Sequence, residues 1–140
     1  TEAELRERRD RIDDALHATR AAVTGGYLPG GGTALVKCVS EISKKQTQIS
    51  PGLQLLIEAC EKPLKQIAEN AGITGELVFE KVNEQKDFRN GFNARTKTYE
   101  DLIESGVIDP TLVVTSALRH AVSAADNLLS VSCCVTIPEE

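Results

Sequence analysis

The run Pro29-Gly30-Gly31-Gly32-Thr33 is the part of this chain best suited to hold a small ligand. Three successive glycines permit backbone torsions and close approaches that a side chain would block. They precede a predicted helix, whose first N–H groups lack internal partners and carry the positive end of the helix dipole. Such a terminus suits an anionic or polar ligand. The run is neither a Walker loop nor a G-x-G-x-x-G after a strand. Read alone, a glycine-rich connection between helices is the plainer account, and a nucleotide site is the alternative.

Two carboxylates come next. At about 100° per residue, Asp14 faces nearly opposite the stripe formed by Leu5, Ile12, Leu16 and Val23. It is either a solvated carboxylate or one presented across a cleft, where it could hold a metal ion or orient a water. Asp13 and His17, four residues apart, read as a surface pair. Asp109 precedes Pro110 and the last predicted helix, so its default role is an N-cap. Asn93 is by default a turn residue and His120 structural. No Ser/His/Asp or Cys/His arrangement stands out. Cys38, Cys60, Cys133 and Cys134 form no C-x-x-C pair, so no structural metal site is expected, and buried free thiols in a reducing compartment are the plainer reading.

These groups need helices to position them. Thr1 with Glu4 reads as a capping box opening a helix to about Val23, which Thr24-Gly25-Gly26 stops. Ten of its first fourteen residues are charged, so its early part is expected to bury little and to project from the main body. A second helix runs from Ala34 to about Lys45. A third covers Gly52 to Ala71, with Leu53, Leu56, Ile57, Cys60, Leu64, Ile67 and Ala71 on one face. Pro63 should kink or divide it, and Gly72 should cap it. Glu76–Asn83 reads as a shorter helix and Phe88–Thr98 as extended chain with room for a small hairpin. Tyr99–Ser105 reads as a short helix ended by Gly106. The last long helix is expected from Pro110 to about Ser132, with Val113, Ala117, Ala121, Ala124, Ala125 and Leu128 suited to close packing. Cys133–Ile137 alternates as a terminal strand. The fold class is mainly α, with minor β strands.

Composition narrows the function. Hydrophobic residues make up 41%, enough for a sizeable core, and with 3 Phe, 2 Tyr and no Trp that core must be aliphatic. A net charge of −5 argues against non-specific binding to nucleic acid or to an anionic membrane surface. No apolar run is long enough to span a bilayer, and the first residues lack the apolar stretch of a signal peptide. Methionine is absent even from position 1, so the sequence is expected to be cut from a longer one.

Taken in order, the segments Arg11-Ile12-Asp13-Asp14-Ala15-Leu16-His17-Ala18-Thr19-Arg20-Ala21-Ala22-Val23 and Pro29-Gly30-Gly31-Gly32-Thr33-Ala34-Leu35 closely resemble the C-terminal part of group I chaperonins, the GroEL type. Ala59–Ile67, Asn93-Ala94, Gly106–Thr111, Ser116-Ala117-Leu118 and Val135-Thr136 agree in order and spacing. The resemblance spans essentially the whole chain.

It implies an intermediate-domain helix over 1–24 and the C-terminal part of an equatorial, ATP-binding helical domain over 25–140. By position, Asp14 matches the family's catalytic carboxylate, which helps activate the attacking water. Gly31, with Gly30 and Gly32 shaping the loop, matches the backbone approach to the nucleotide. Asn93, Ala94 and Val107 match residues around the adenine, and Asp109 the carboxylate that holds the ribose hydroxyls. ATP and Mg2+ are the implied cofactors, the metal ligands lying mainly in an N-terminal Gly-Asp-Gly-Thr-Thr loop that this sequence does not contain. This stretch alone is therefore expected not to hydrolyse ATP, although the intact parent would be an ATPase coupled to protein folding. The implied partners are other subunits of a homo-oligomeric or mixed ring, with unfolded clients and a co-chaperonin engaged through an apical domain. Neither nucleic acid nor membrane is among them. The expected compartment is the cytoplasm or an organelle interior, mitochondrial matrix or plastid stroma. The alternative is a structural ring-assembly module of a divergent paralogue without ATPase activity.

Overall fold

Thr1 and Glu4 close the capping box that the sequence announces. The Thr1 hydroxyl accepts the Glu4 N–H at 3.3 Å, and the Glu4 carboxylate accepts from the Thr1 amino group at 2.5 Å. They open helix α1, Glu2–Gly25, in a computed structural model that describes residues 1–46, 48–133 and 135. Gly26, at φ 76°, ends the helix.

The chain divides into two compact units, one of residues 1–26 with the described residues from 110 onward, the other of residues 27–109. In the first, α1 packs against helix α5, Thr111–Leu129. A Cβ on Gly25 would lie 2.5 Å from Leu112 Cγ, and Thr111 N–H donates to the Gly26 carbonyl at 3.0 Å. Neither helix buries a residue. Leu5, Ile12, Leu16 and Val23 on α1 are exposed, as are Val113, Ala117, Ala121, Ala124, Ala125 and Leu128 on α5. A helix pair gives each apolar stripe a single neighbour, too little to cover it. α5 stops at Leu129, short of Ser132. The strand expected over Cys133–Ile137 falls where only residues 133 and 135 are described.

The second unit holds the core. Helix α2, Thr33–Lys45, helix α3, Pro51–Asn70, and helix α4, Gly75–Glu84, pack on one another. Val36, Leu64, Ala68, Val78, Val82 and Phe92 form the buried cluster. On α3 the buried residues are Ile57, Cys60, Leu64 and Ala68, the stripe expected of a helix lying on a core. Ser50 caps it by accepting the Leu53 N–H at 3.3 Å, and Pro51 takes the favoured first turn. Pro63 does not divide the helix; it lies inside it on the exposed side. Gly72, at φ 79°, follows the C-cap, and its N–H donates to the Glu69 carbonyl at 2.8 Å. Lys65 bridges Glu61 at 2.8 Å and Glu76 at 2.7 Å, tying α3 to α4.

Two small sheets flank this core. Strands β2, Asn90–Asn93, and β3, Thr98–Asp101, form an antiparallel hairpin in which Phe92 faces Tyr99, their rings 5.4 Å apart. Strand β1, Tyr27–Pro29, pairs with strand β4, Ile108–Pro110. Three expectations are corrected here. Tyr99–Asp101 is a strand, and residues 102–106 make turns rather than the rest of a helix. Pro110, not Asp109, is the N-cap of α5: Pro110 is itself extended, at φ −64° and ψ 131°, as part of β4, so the helix starts one residue later, at Thr111. Of the cysteines expected to be buried, Cys60 is, but Cys38 and Cys133 are exposed; Cys134 lies outside the described residues.

Gly32 (φ 77°) and Gly72 (φ 79°) share a left-handed backbone but differ in surroundings. A Cβ on Gly32 would lie 2.7 Å from the Leu64 amide nitrogen, whereas one on Gly72 meets nothing within 4 Å among the described residues. Gly72→Ala should cost about 1–2 kcal/mol for its torsion alone. Gly32→Ala should cost clearly more, read as a lower unfolding midpoint in urea. Equal losses would contradict the close packing at Leu64.

Candidate functional site

The glycine turn is built by its neighbours. Gly31 and Gly32, at φ 63° and 77°, bend the chain back so that the Thr33 N–H donates to the Gly30 carbonyl at 3.1 Å. Two consecutive left-handed residues are what a primed turn demands, and glycine adopts them without strain. Gly30 N–H donates to the Val107 carbonyl at 2.9 Å, and Val107 N–H donates to the Leu102 carbonyl at 2.8 Å. Val107 is thus held on both sides of its peptide. Asp101 steadies the turn that leads there, accepting the N–H groups of Ile103 at 2.8 Å and Glu104 at 3.1 Å.

The hairpin forms the next wall. A Cβ on Gly31 would lie 3.5 Å from the Phe92 carbonyl, and one on Gly91 only 2.3 Å from Thr33 Oγ1. β2 therefore lies against the start of α2, which explains the glycine at 91. Thr33 is fully buried, and its hydroxyl has no hydrogen-bond partner among the described residues. α2 itself has no side-chain cap, its N-cap being Gly32. Asn93 is buried, but its side chain is already engaged. Its Oδ1 accepts the Arg95 N–H at 3.0 Å and its Nδ2 donates to Glu100 at 2.6 Å. That Asx turn shapes the bend 94–97, which Lys97 completes at φ 60°. Ala94 is half-buried against the core.

Asp109 stands two residues beyond Val107 on β4. It is half-buried, and among the described residues no donor reaches its carboxylate. Burial raises its pKa above the ordinary aspartate value. The 27–109 unit thus brings Gly30, Gly31, Gly32 and Val107 together, with the Phe92 carbonyl against Gly31 and Asp109 on the adjoining sheet; Asn93 follows Phe92 on β2, and Ala94 packs on the core. Asp14 belongs to the other unit, exposed on α1. Its neighbour Asp13 lies 4.0 Å from Arg9, and among the described residues it does not form the expected ion pair with His17.

A sequence model of the TCP-1/cpn60 chaperonin family matches residues 1–137. The chain belongs to that family. It is a chaperonin chain, and its field of work is protein folding.

Some residues that build the site carried no local sign in this chaperonin sequence. Gly91, Phe92 and Leu102 act through contacts across long sequence separations. Lys37, on the first turns of α2, is 6% exposed where a surface lysine would be the ordinary reading. Cys60 is buried on α3; burial first, then the nearby Cys38 thiol and Glu61, pushes its thiol pKa up, which disfavours the reactive thiolate.

The raised pKa of Asp109 gives a sign to its pH dependence. Its contribution to stability is present below the ordinary pKa of about 3.9 and lost as pH rises through the higher folded value. Asp109→Asn should therefore raise the unfolding temperature at pH 7, with the gain shrinking as the pH falls through the raised folded value and gone below about pH 3.9, where folded and unfolded chains are both protonated. A pH series of thermal melts reads this, and a gain that grows on acidification would contradict it.

Proposed function

We propose that this chain forms one wall of the ATP pocket of a group I, GroEL-type chaperonin subunit and supplies the carboxylate that activates the attacking water. The observation that carries the reading is the N-terminus of α2, without a side-chain cap, behind the Gly30–Gly32 turn, with the carboxylate of Asp109, which no donor reaches among the described residues, on the sheet beside it. Unpaired N–H groups and a positive dipole end suit a polyanion. A desolvated carboxylate without a donor suits a pair of hydroxyls, and the ribose of a nucleotide has them. In this reading Gly31 lets the backbone approach the nucleotide, while Asn93, Ala94 and Val107 border the base. Asn93 acts through its backbone and its turn, because its amide is already bonded.

Asp14 is assigned the role of helping to activate the attacking water because it matches the family's carboxylate by position and, among the described residues, stands exposed without a hydrogen-bond partner. The metal is a separate matter. Among the described residues no group of three or more His, Cys, Asp or Glu side chains is arranged to hold one. As the resemblance implies, Mg2+ would be held mainly by an N-terminal Gly-Asp-Gly-Thr-Thr loop of the subunit. We further infer a ring of like or mixed subunits, with unfolded clients and a co-chaperonin bound by an apical region, working in the cytoplasm or an organelle interior.

In the intact subunit, Asp14→Ala should lower ATP turnover by roughly a hundredfold or more while leaving ATP affinity within about twofold. Asp109→Ala should weaken ATP binding by about tenfold, the loss of one or two hydrogen bonds to a charged acceptor. Steady-state turnover and equilibrium titration read both. Normal turnover in the first variant, or unchanged affinity in the second, would contradict the assigned role.

A further inference from the structure

Lys37 is a buried ammonium that the nucleotide reading does not use. It sits one turn into α2, on the same face as Thr33. Its Nζ donates to the Val82 carbonyl at 2.6 Å and also to the Gln85 carbonyl. Those carbonyls belong to the last turn of α4 and to its C-cap. The final carbonyls of a helix lack internal partners and carry the negative end of its dipole, so an ammonium is the natural group to close them.

The position is costly, which makes it informative. Among the described residues no carboxylate forms an ion pair with Lys37. Burial lowers its pKa, the nearby Lys44 adds to this, and Asp87 opposes it. An apolar side chain would fill the space without desolvating a charge. What the lysine adds is a tie between two specific elements. Only residues 86–89 separate the anchored end of α4 from β2. β2 in turn lies against the α2 start, where Gly91 faces Thr33 and the Phe92 carbonyl faces Gly31. Lys37 therefore closes a loop of contacts: α2 to the α4 end, the α4 end to β2, and β2 back to the glycine turn at the head of α2.

We propose that Lys37 is a positioning residue for the nucleotide pocket, its ammonium fixing β2 against the glycine turn by holding the C-terminal end of α4 to α2. The proposal rests on the nucleotide reading given above for its functional consequence, but the tie itself can be read without nucleotide.

The test compares Lys37→Met, Lys37→Arg and Ile57→Val with the unaltered intact subunit. Ile57→Val trims the same core away from the turn and controls for general loss of stability. In nucleotide-free protein, Lys37→Met should speed hydrogen exchange at the Phe92 and Asn93 amides by tenfold or more beyond its effect on α3. Ile57→Val should not, and Lys37→Arg, whose guanidinium can still donate to two carbonyls, should restore most of the protection. ATP affinity should fall roughly tenfold in Lys37→Met, with turnover at saturating ATP within about twofold. If Lys37→Met does not fold, Lys37→Gln, which keeps N–H donors without the charge, serves for the same two readings. Unaltered protein that binds no ATP sinks the nucleotide reading and with it the functional half of this proposal. Normal binding in the unaltered protein, with exchange or affinity moving alike in Lys37→Met and Ile57→Val, overturns the positioning role alone.

Discussion

The fit of Gly32 against the backbone of Leu64 is the constraint on which the rest of the 27–109 unit depends. A side chain at 32 would meet the Leu64 nitrogen, Cα and Cβ within 3.2 Å, and main chain cannot step aside as a rotamer can. This contact seats the N-terminus of α2 directly on α3, so the turn before it must reverse within two residues. Left-handed torsions at 31 and 32 are the consequence. The same closeness forces glycine at 91, where β2 runs beneath Thr33. Core and turn are therefore one object: the buried Leu64 that anchors the turn also belongs to the aliphatic cluster with Val36, Val78 and Phe92.

Against that rigid seat, polar groups are left in states that folding alone does not favour. Among the described residues, Asp109 is desolvated without a donor, Thr33 keeps a buried hydroxyl unpaired, and the head of α2 has no side-chain cap. Each could be relieved by a common substitution. Three such groups in one neighbourhood fit a site held ready for a ligand, because unmet hydrogen-bonding capacity is the form in which binding energy is stored before the ligand arrives.

Much of this was legible in the sequence, and the failures have physical causes. The capping box of α1, the apolar stripe of α3 and the glycine stop at 72 are local signals, and the helices follow them. The three glycines announced a special turn before α2. Hidden from a local reading were the strand pairings: β1 meets β4 some eighty residues later, and Tyr99 joins a strand because its ring packs on Phe92. A three-residue strand has no periodicity of its own to read. Asp109 carries a cap's local signature, but Pro110 is itself extended in β4, which pairs with the distant β1, so the helix starts only at Thr111. The stripes of α1 and α5 were correctly seen as apolar, yet they stay exposed among the described residues, since periodicity identifies a face without saying what lies on it.

The central claim is that the Gly30–Thr33 turn and the head of α2 form a wall that nucleotide contacts. Amide hydrogen exchange across residues 30–35 in the intact subunit, with and without saturating ATP, tests it most directly. The account predicts slower exchange at Gly31, Gly32 and Ala34 when nucleotide is added, with the open Gly72 turn unchanged as an internal reference. Identical exchange at those three amides in both states would contradict it.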